Sequence, residues 1–298
     1  MKNKQPLHKR ISLIFTGLFK SLRFVYHFIS RWILYGRCYF PYRENKENIA
    51  IRVLATGPSL NDELLYLRKQ GTLFSDPLFV MNFFAFHELF TELKPTRYCL
   101  ADPAFYKDKI MVDKVQNLFD TLNNNVGWPM TLYVPNVSEK EAKIKIINKN
   151  IKICPVSTLH FEGFESFRNY FYKKGWATPS FVNVLMMIEY VCLNEGFSKI
   201  YLYGSDHSFL KGIVVGDDNV LYVEDKHFYG TERLIADVHT DGTPWRVAEF
   251  IYDKYLTFIE HDVMRHYADY IGAEIINCTK GSWIDSYVRE VQNEKTDC

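Results

Sequence analysis

The chain has 298 residues, 47% hydrophobic and 24% charged, so its length and apolar content allow a fully buried core. Its net charge of +1 hides an asymmetry, because residues 1–43 contain nine Lys/Arg and no Asp or Glu. The remaining 27 basic and 35 acidic residues make the rest of the chain acidic, which excludes general nucleic-acid binding. The six cysteines show no C-x-x-C pair and no Cys/His metal spacing, so we expect a reduced protein with no metal or other cofactor.

The first predicted element is a basic amphipathic helix over residues 9–35. Lys20, Arg23, His27 and Arg31 step by three and four, so they form one helical stripe. They also interrupt the apolar run, which excludes a spanning helix. The pattern predicts a segment (residues 1–43) that lies on the inner, cytoplasmic face of the cell membrane as a peripheral anchor. The alternative is that the same helix docks on the protein's own core.

Residues 44–298 form the second predicted unit, an α/β domain that begins with a strand at Ile51–Ala55, a tight turn and a helix start. In the turn, Gly57 allows close approach of a ligand, and Pro58 fits a helix entry. Ser59, followed three residues later by Asp62, resembles a capping box. Free N–H groups at such a helix start predict a phosphate site, and the alternative is a corner without a ligand.

Strands and helices alternate from this point, which predicts a parallel sheet. Polar residues stand just past three predicted strand ends, at Thr56, Asn82 and Asp102. In open parallel sheets the ligand crevice lies outside the carboxyl ends of the strands, so we expect these side chains to converge. For each residue alone, the alternative is ordinary turn chemistry. The other predicted strands cover residues 77–81, 97–101, 130–134, 151–154, 197–203 and 273–278.

The second half of the crevice is predicted around a buried helix. Thr178 is expected to cap this helix and Pro179 to start it, and it runs to Gly196. The strand that follows ends in Gly204 and Asp206. Asp206 is a candidate to hold a ribose or sugar hydroxyl, and the alternative is a turn cap.

Residues 209–244 are predicted to form a long irregular lid, since such segments after strand ends often bind ligands. A long helix (245–271) and a closing helix (282–289) are expected after it. The lid contains the polar residues Tyr222, His227, Tyr229, Arg233 and His239.

Residues 50–280 contain five short motifs, namely Thr56-Gly57-Pro58-Ser59-Leu60, Asn82, Asp102-Pro103, Thr178-Pro179-Ser180 and Gly204-Ser205-Asp206. In order and rough spacing they resemble the bacterial CMP-sialic-acid-dependent sialyltransferases of the Campylobacter lipooligosaccharide type, and related glycosyltransferases of surface-polysaccharide loci. The resemblance implies a Rossmann-like sheet with a lid, a CMP-sugar donor, inversion at the anomeric carbon and no essential metal. The predicted nucleotide-binding residues are Thr56, Gly57, Pro58, Ser59, Asn82, Asp102, Thr178, Ser180, Gly204 and Asp206.

The resemblance also implies a catalytic histidine some thirty residues past the Gly-x-Asp turn, where this sequence has His239. His227 is the rival base. The sequence departs from the family at Asp102, where the family has Asn, and at His207-Ser208, where it has an aromatic pair. The tyrosine that supports the leaving phosphate is therefore not in place, and Tyr222 or Tyr229 is the candidate substitute.

Together these features predict an inverting, metal-independent glycosyltransferase that moves a sialic-acid-like sugar from a CMP-sugar to a surface glycan or glycolipid. The sequence lacks the Asp-x-Asp motif of many metal-dependent transferases. Two alternatives remain open. One is an enzyme like the pterin-type pyrophosphokinases, and the other is a non-catalytic, membrane-tethered nucleotide- or glycan-binding protein.

Overall fold

A computed structural model describes residues 7–35, 40–44, 49–107, 111–161, 163–227, 230–239 and 241–290. The strands are β1 (Ala50–Leu54), β2 (Leu78–Met81), β3 (Arg97–Cys99), β4 (Met130–Pro135), β5 (Ile151–Val156), β6 (Lys199–Tyr203), β7 (Ile213–Val215), β8 (Leu221–His227), β9 (Gly230–Ile235), β10 (Glu274–Asn277) and β11 (Val288–Arg289). The helices are α1 (Leu7–Tyr35), α2 (Leu60–Lys69), α3 (Phe90–Leu93), α4 (Val112–Asn125), α5 (Glu139–Lys145), α6 (Glu165–Lys173), α7 (Val184–Asn194) and α8 (Val247–Ile271).

Eight strands form one parallel sheet in the order β11-β10-β6-β1-β2-β3-β4-β5. The chain moves outward from β1 to β5 and then returns through β6 to the other side of β1. The order of the strands therefore reverses between β1 and β6, which is where a doubly wound sheet opens a crevice. This confirms the predicted α/β fold with a Rossmann-like sheet.

The sheet is buried on both faces, because β1 sends alternate side chains into two apolar cores. Ile51 and Val53 pack with residues of α7 and α8, whereas Leu54 packs with residues of α2 and α4. α7 lies within the first core, and every residue from Leu185 to Asn194 is buried. The prediction of a deeply buried helix is confirmed.

The start of that helix is a correction. α7 begins at Val184, and its cap is Asn183, whose Oδ1 accepts the Leu185 N–H at 2.8 Å. Thr178 instead lies in an extended segment, where its N–H donates to the Leu159 carbonyl at 2.9 Å. The prediction placed the start at Thr178-Pro179 because that pair has the composition of a helix entry, but backbone pairing with Leu159 keeps the segment extended.

The predicted irregular lid is wrong in its main feature, because β7, β8 and β9 form an antiparallel sheet. The turn between β7 and β8 passes through Asn219, which has a left-handed backbone (φ 58°) and donates its N–H to the Gly216 carbonyl. The Asp-Asp-Asn sequence between two β-branched runs is a hairpin signal.

The predicted closing helix over 282–289 is also wrong. The segment is mostly irregular and ends in β11. Several of its polar groups bind neighbouring segments: the Asn277 amide donates to Ser282 Oγ at 3.0 Å and to the Ile284 carbonyl at 3.1 Å. The Trp283 N–H donates to the Asp206 carbonyl at 2.9 Å, which places the segment behind the end of β6.

α1 docks on the domain through one narrow face. Phe24 is buried against Phe161 and Phe171, at ring-centroid distances of 4.5 and 5.1 Å. Gly17 permits the close contact, since a Cβ there would lie 2.6 Å from the Phe164 ring. Among the described residues, no helix has both the length and the apolar character needed to cross a bilayer.

Candidate functional site

A cleft of about 400 Å³ opens at the carboxyl ends of β1, β2 and β6, where the strand order reverses. Its floor is formed by the turns after these strands, and the N-terminal end of α7 forms one wall. β8 and β9 contribute apolar lining from Val223, Leu234 and Ile235, so the small antiparallel sheet covers the cleft as a lid. α8 closes the remaining side through Phe250 and Lys254.

Six of the ten predicted nucleotide-binding residues line this cleft, and they come from three separate turns. They are Thr56, Gly57, Pro58, Asn82, Gly204 and Asp206. Asn82 has a left-handed backbone (φ 51°), an uncommon conformation that asparagine tolerates better than most residues. The parallel sheet therefore brings these polar turns to one edge, as the strand ends indicated.

A seventh predicted residue, Ser59, lies beside the cleft and is bound to Asp206. Its Oγ donates to Asp206 Oδ2 at 2.9 Å, and its backbone N–H lies 3.3 Å from the same oxygen. The expected capping box is wrong, because Ser59 makes no side-chain cap to α2. The Asp206 carboxylate, from the turn after β6, accepts the Ser59 N–H instead, which suits the positive end of a helix.

Glycine is required at position 57 by this contact. A Cβ on Gly57 would lie 2.1 Å from Asp206 Oδ2 and 2.4 Å from the Gly204 carbonyl oxygen. The Gly57 N–H donates to that carbonyl at 2.9 Å. The glycine thus lets the first turn and the end of β6 approach within backbone hydrogen-bonding distance.

A second carboxyl group ties the same two segments together. Glu63 of α2 is buried, and its Oε2 accepts the Gly204 N–H at 2.6 Å. Burial raises the pKa of Glu63 from 4.5 to about 7, against the opposing effect of the hydrogen bonds from Gly204 and Ser59. The two segments are therefore tied by a carboxyl group from each side, Glu63 of α2 on Gly204 and Asp206 of the turn after β6 on Ser59.

Three other predicted residues also do not line the cleft. Asp102 is exposed, and its Oδ1 accepts the Ala104 N–H at 2.7 Å, so it caps a short 3₁₀ turn after β3. Thr178 is buried, with its Oγ1 3.4 Å from the Leu159 carbonyl. Ser180 donates its N–H to Glu260 Oε2 at 3.2 Å. The structure does not bring these residues together with the other seven.

Several lining residues were not singled out from the sequence. Asn183 follows the predicted helix start and was hidden by that error. Lys254 belongs to α8, where the sequence predicts a helix but gives no sign of which lysine faces a ligand site. Its Nζ lies 5.0 Å from the Phe209 ring and 4.9 Å from the Phe250 ring, and both rings line the cleft.

His207 is the histidine that lines the cleft among the described residues. It is buried in a left-handed conformation (φ 49°), and its Nε2 lies 3.4 Å from Asn183 Nδ2. Because Asn183 Oδ1 caps α7, its amide nitrogen faces His207 as a donor, which requires an unprotonated Nε2. Burial, and then the nearby His261 and Lys254, lower the pKa of His207 well below its usual value, so the ring is neutral.

A buried polar network supports His207 from behind. The His261 ring lies 4.9 Å from the His207 ring, and its Nδ1 is 2.9 Å from the Tyr287 hydroxyl. That hydroxyl donates to Glu189 Oε2 at 2.7 Å. Burial raises the pKa of Glu189 to about 8 and lowers that of His261 to about 3, so both groups are neutral at neutral pH.

His239, the first candidate base, is not part of the cleft lining. Its Nε2 is 3.3 Å from Glu249 Oε1, and its ring is 6.3 Å from the Trp245 ring. Glu249 is fixed in turn by the Arg246 N–H, which it accepts at 2.8 Å. His239 is three residues past the lining residue Ala236, and Glu249 is adjacent to Phe250. The two residues are therefore close in sequence to residues that line the cleft.

The other candidates of the lid have different positions. His227 ends β8, and Tyr229 lies outside the described residues. The Tyr222 hydroxyl donates to Asp218 Oδ2 at 2.7 Å, and Tyr222 is not part of the lining. Among the residues that the structure describes, no group of three His, Cys, Asp or Glu side chains is arranged to hold a metal ion.

No protein-family model and no curated protein matches this sequence. Among solved structures, the fold is similar to that of the MAf glycosyltransferase from Magnetospirillum magneticum AMB-1, with 11% identity and a TM-score of 0.47. The alignment covers 85% of this chain and 35% of the other, so this chain spans about a third of the length of that protein. Similarity at this level does not define an activity, which has to be inferred from the cleft itself.

Proposed function

We propose that the protein is an inverting glycosyltransferase that transfers a sialic-acid-like sugar from a CMP-sugar donor to a surface glycan or glycolipid, without a metal ion. The observation that carries this proposal is the cleft at the reversal of strand order. Six residues of the motifs that resemble the sialyltransferases line it, beneath a lid. A cleft at this position of a doubly wound sheet is the usual site for a nucleotide.

The reaction requires a base for the acceptor hydroxyl and a site for the leaving group. The acceptor oxygen bonds to the anomeric carbon, the bond from that carbon to the phosphate oxygen breaks, and the acceptor proton passes to the base. We assign the base to His239. Its Nε2 is paired with the Glu249 carboxylate, which leaves Nδ1 to accept the proton. Its side chain is 41% exposed, which suits an acceptor that enters from solvent.

We also propose that α1 attaches the enzyme to the inner face of the cell membrane, where a glycolipid acceptor would be found. The helix carries an apolar face that its docking contact leaves exposed. Leu18, Leu22, Val25 and Ile29 follow the spacing i, i+4, i+7 and i+11, and each is 44–62% exposed. Lys20 and Arg23 lie between these residues in sequence and add the positive charge that anionic lipids attract.

The donor assignment is tested by a thermal-shift panel of CMP, CDP, UDP, GDP and ATP, each with and without Mg²⁺. Stabilisation by CMP without Mg²⁺ supports the proposal, since a ligand that binds only the folded state raises the unfolding temperature. Stabilisation by UDP that requires Mg²⁺ contradicts the assignment of a CMP-sugar as the donor. Stabilisation by ATP with Mg²⁺ alone favours a pyrophosphokinase, and CMP binding without sugar transfer favours a binding protein.

The base is tested by the His239→Ala variant, which we expect to lose transfer while CMP still raises the unfolding temperature. His266→Ala is the matched control, because the His266 side chain is 40% exposed on α8 and does not line the cleft. If His239→Ala stays active and His227→Ala does not, His227 is the base.

A further inference from the structure

The charges of the cleft are arranged unevenly, and this arrangement constrains how a nucleotide can lie in it. At the β1–α2 turn, the Ser59 N–H and Oγ are already bound to the Asp206 carboxylate, at 3.3 and 2.9 Å. The helix start that the sequence assigned to a phosphate therefore holds an anion that belongs to the protein. A phosphate at this turn would lose those donors and would lie next to a like charge.

Among the described residues, two lysines line the cleft, Lys211 and Lys254. Burial raises the pKa of Asp206, and Lys211 lies close enough to that carboxylate to oppose the rise, so it partly offsets the anion at the turn. The second cation of the cleft is Lys254 of α8. Its side chain is 22% exposed and runs between the rings of Phe209 and Phe250, which fix the ammonium group at 5.0 and 4.9 Å from their centroids. Asp253 Oδ2 accepts from Nζ at 2.8 Å, and Asp253 is not part of the cleft lining. An ammonium group has three N–H donors, so one contact with Asp253 does not exhaust it.

We propose that Lys254 binds the phosphate of the nucleotide donor, whereas the β1–α2 turn with Asp206 accepts the hydroxyl groups of its ribose. A carboxylate only accepts hydrogen bonds, which matches hydroxyl groups and not a phosphate. When the glycosidic bond breaks, the phosphate oxygen gains a full negative charge, and the lysine at that end stabilises it. Lys254 thus supplies the support that the sequence expected from a tyrosine of the lid. This inference rests on the proposed CMP-sugar donor.

The test compares the affinities of CMP and cytidine, which differ only by the phosphate. We expect the wild-type protein to bind CMP at least about tenfold more tightly than cytidine, because hydrogen bonds to charged groups are strong. In Lys254→Gln this ratio should fall to about one while the affinity for cytidine is retained, and Lys254→Arg should restore most of it. Lys152→Gln, at an exposed position on β5, is the control that should leave the ratio unchanged.

The opposite orientation is tested with Asp206→Asn, in which an amide oxygen can still accept from Ser59. If the phosphate lay at the turn, removal of the neighbouring negative charge would raise the ratio of CMP to cytidine affinity by about tenfold or more. We expect no such rise. CMP binding that Lys254→Gln leaves intact overturns this inference alone, whereas a wild-type protein that binds neither CMP nor cytidine overturns the CMP-sugar proposal as well. An unfolding temperature close to that of the wild type shows that each variant is folded.

Discussion

Asp206 joins two functions that the sequence assigned to different residues. Its position after β6 fits a hydroxyl-binding role, yet its carboxylate also occupies the N–H group of Ser59 that was expected to bind phosphate. Burial raises the pKa of Asp206, and the hydrogen bonds from Ser59 oppose that rise. The turn after β1 is therefore a structural joint between two strands as well as part of a ligand site.

The residue on which this joint depends most directly is Gly57. In Gly57→Ala the new methyl group meets Asp206 Oδ2 at 2.1 Å and the Gly204 carbonyl at 2.4 Å, so either the turn or the end of β6 must move. We expect a loss of about 1–3 kcal/mol in the free energy of unfolding, the usual cost of overpacking, together with weaker CMP binding. Urea unfolding and a CMP titration measure the two effects.

Gly127→Ala is the matched control for this substitution. A Cβ at Gly127 has no neighbour within 4 Å and its backbone is not left-handed, so its change should stay within about 0.5 kcal/mol. If Gly57→Ala is as stable as Gly127→Ala and binds CMP normally, the close approach of Gly57 and Asp206 does not constrain the site.

Among the elements, α1 has two faces with the same spacing, offset by one residue. Gly17, Ser21, Phe24 and Phe28 form the face toward the domain, and Phe28 lies 5.8 Å from the Trp176 ring. Leu18, Leu22, Val25 and Ile29 form the exposed apolar face. The two interpretations left open by the sequence are therefore compatible, because docking on the core uses one face and leaves the other available.

We expect the double variant Leu18→Ser, Leu22→Ser to lose binding to anionic lipid vesicles. The two leucines together account for about 3 kcal/mol of burial if they enter the bilayer interface, which corresponds to a loss of more than about a hundredfold. Cosedimentation with vesicles of mixed neutral and anionic lipids measures this. Since neither leucine contacts the core, the unfolding temperature should not change.

Leu65→Ser is the control, because Leu65 is 57% exposed on α2. If the wild-type protein does not bind vesicles, the membrane assignment fails. A sedimentation or light-scattering result in which the wild type is a dimer and the double variant a monomer would then assign the exposed face to a second copy of the chain.

The predictability of the fold differed between elements for physical reasons. The buried strands and the polar residues after β1, β2 and β6 were readable, because a parallel strand covered on both faces needs a continuous apolar run. The start of α7 was misplaced because pairing with Leu159 outweighed the helix-entry composition of Thr178-Pro179. The closing segment has helix-compatible spacing, but Ser282 and Trp283 donate to the carbonyls of Ser205 and Asp206, which are 77 residues away, and such long-range partners leave no local signal.

For the site, the sequence identified the residues carried by strand ends and missed those carried by helices. Turn residues after parallel strands converge as a consequence of topology, so Thr56, Asn82 and Asp206 could be grouped before the structure was known. Lys254 enters the cleft only because of the rotation and crossing of a 25-residue helix. A helical pattern does not fix that rotation relative to a distant turn.

At the scale of the whole molecule, burial of neutral ionisable groups determines how stability depends on pH. The folded-state pKa values of Glu63 and Glu189 are raised above 4.5, so the folded protein binds more protons than the unfolded chain and loses stability as pH rises through 4.5 toward 7 and 8. The pKa values of His207 and His261 are lowered from 6.5, so their contribution is complete above 6.5 and is lost as pH falls.

These opposing effects predict greatest stability between about pH 4.5 and 6.5, with a decline on each side. Above pH 6.5 only the buried carboxyl groups still change, and Glu189 alone accounts for about 2 kcal/mol of lost stability by pH 8, at about 1.4 kcal/mol per pH unit. Glu189→Gln keeps an acceptor for the Tyr287 hydroxyl but cannot ionise, so its stability should decline much less over this range. Urea unfolding at pH 5.5, 6.5 and 8 measures the slope, with the exposed Glu274→Gln of β10 as control. If Glu189→Gln declines in parallel with the wild type, Glu189 does not carry the alkaline loss, and the buried network behind His207 is charged in the folded protein.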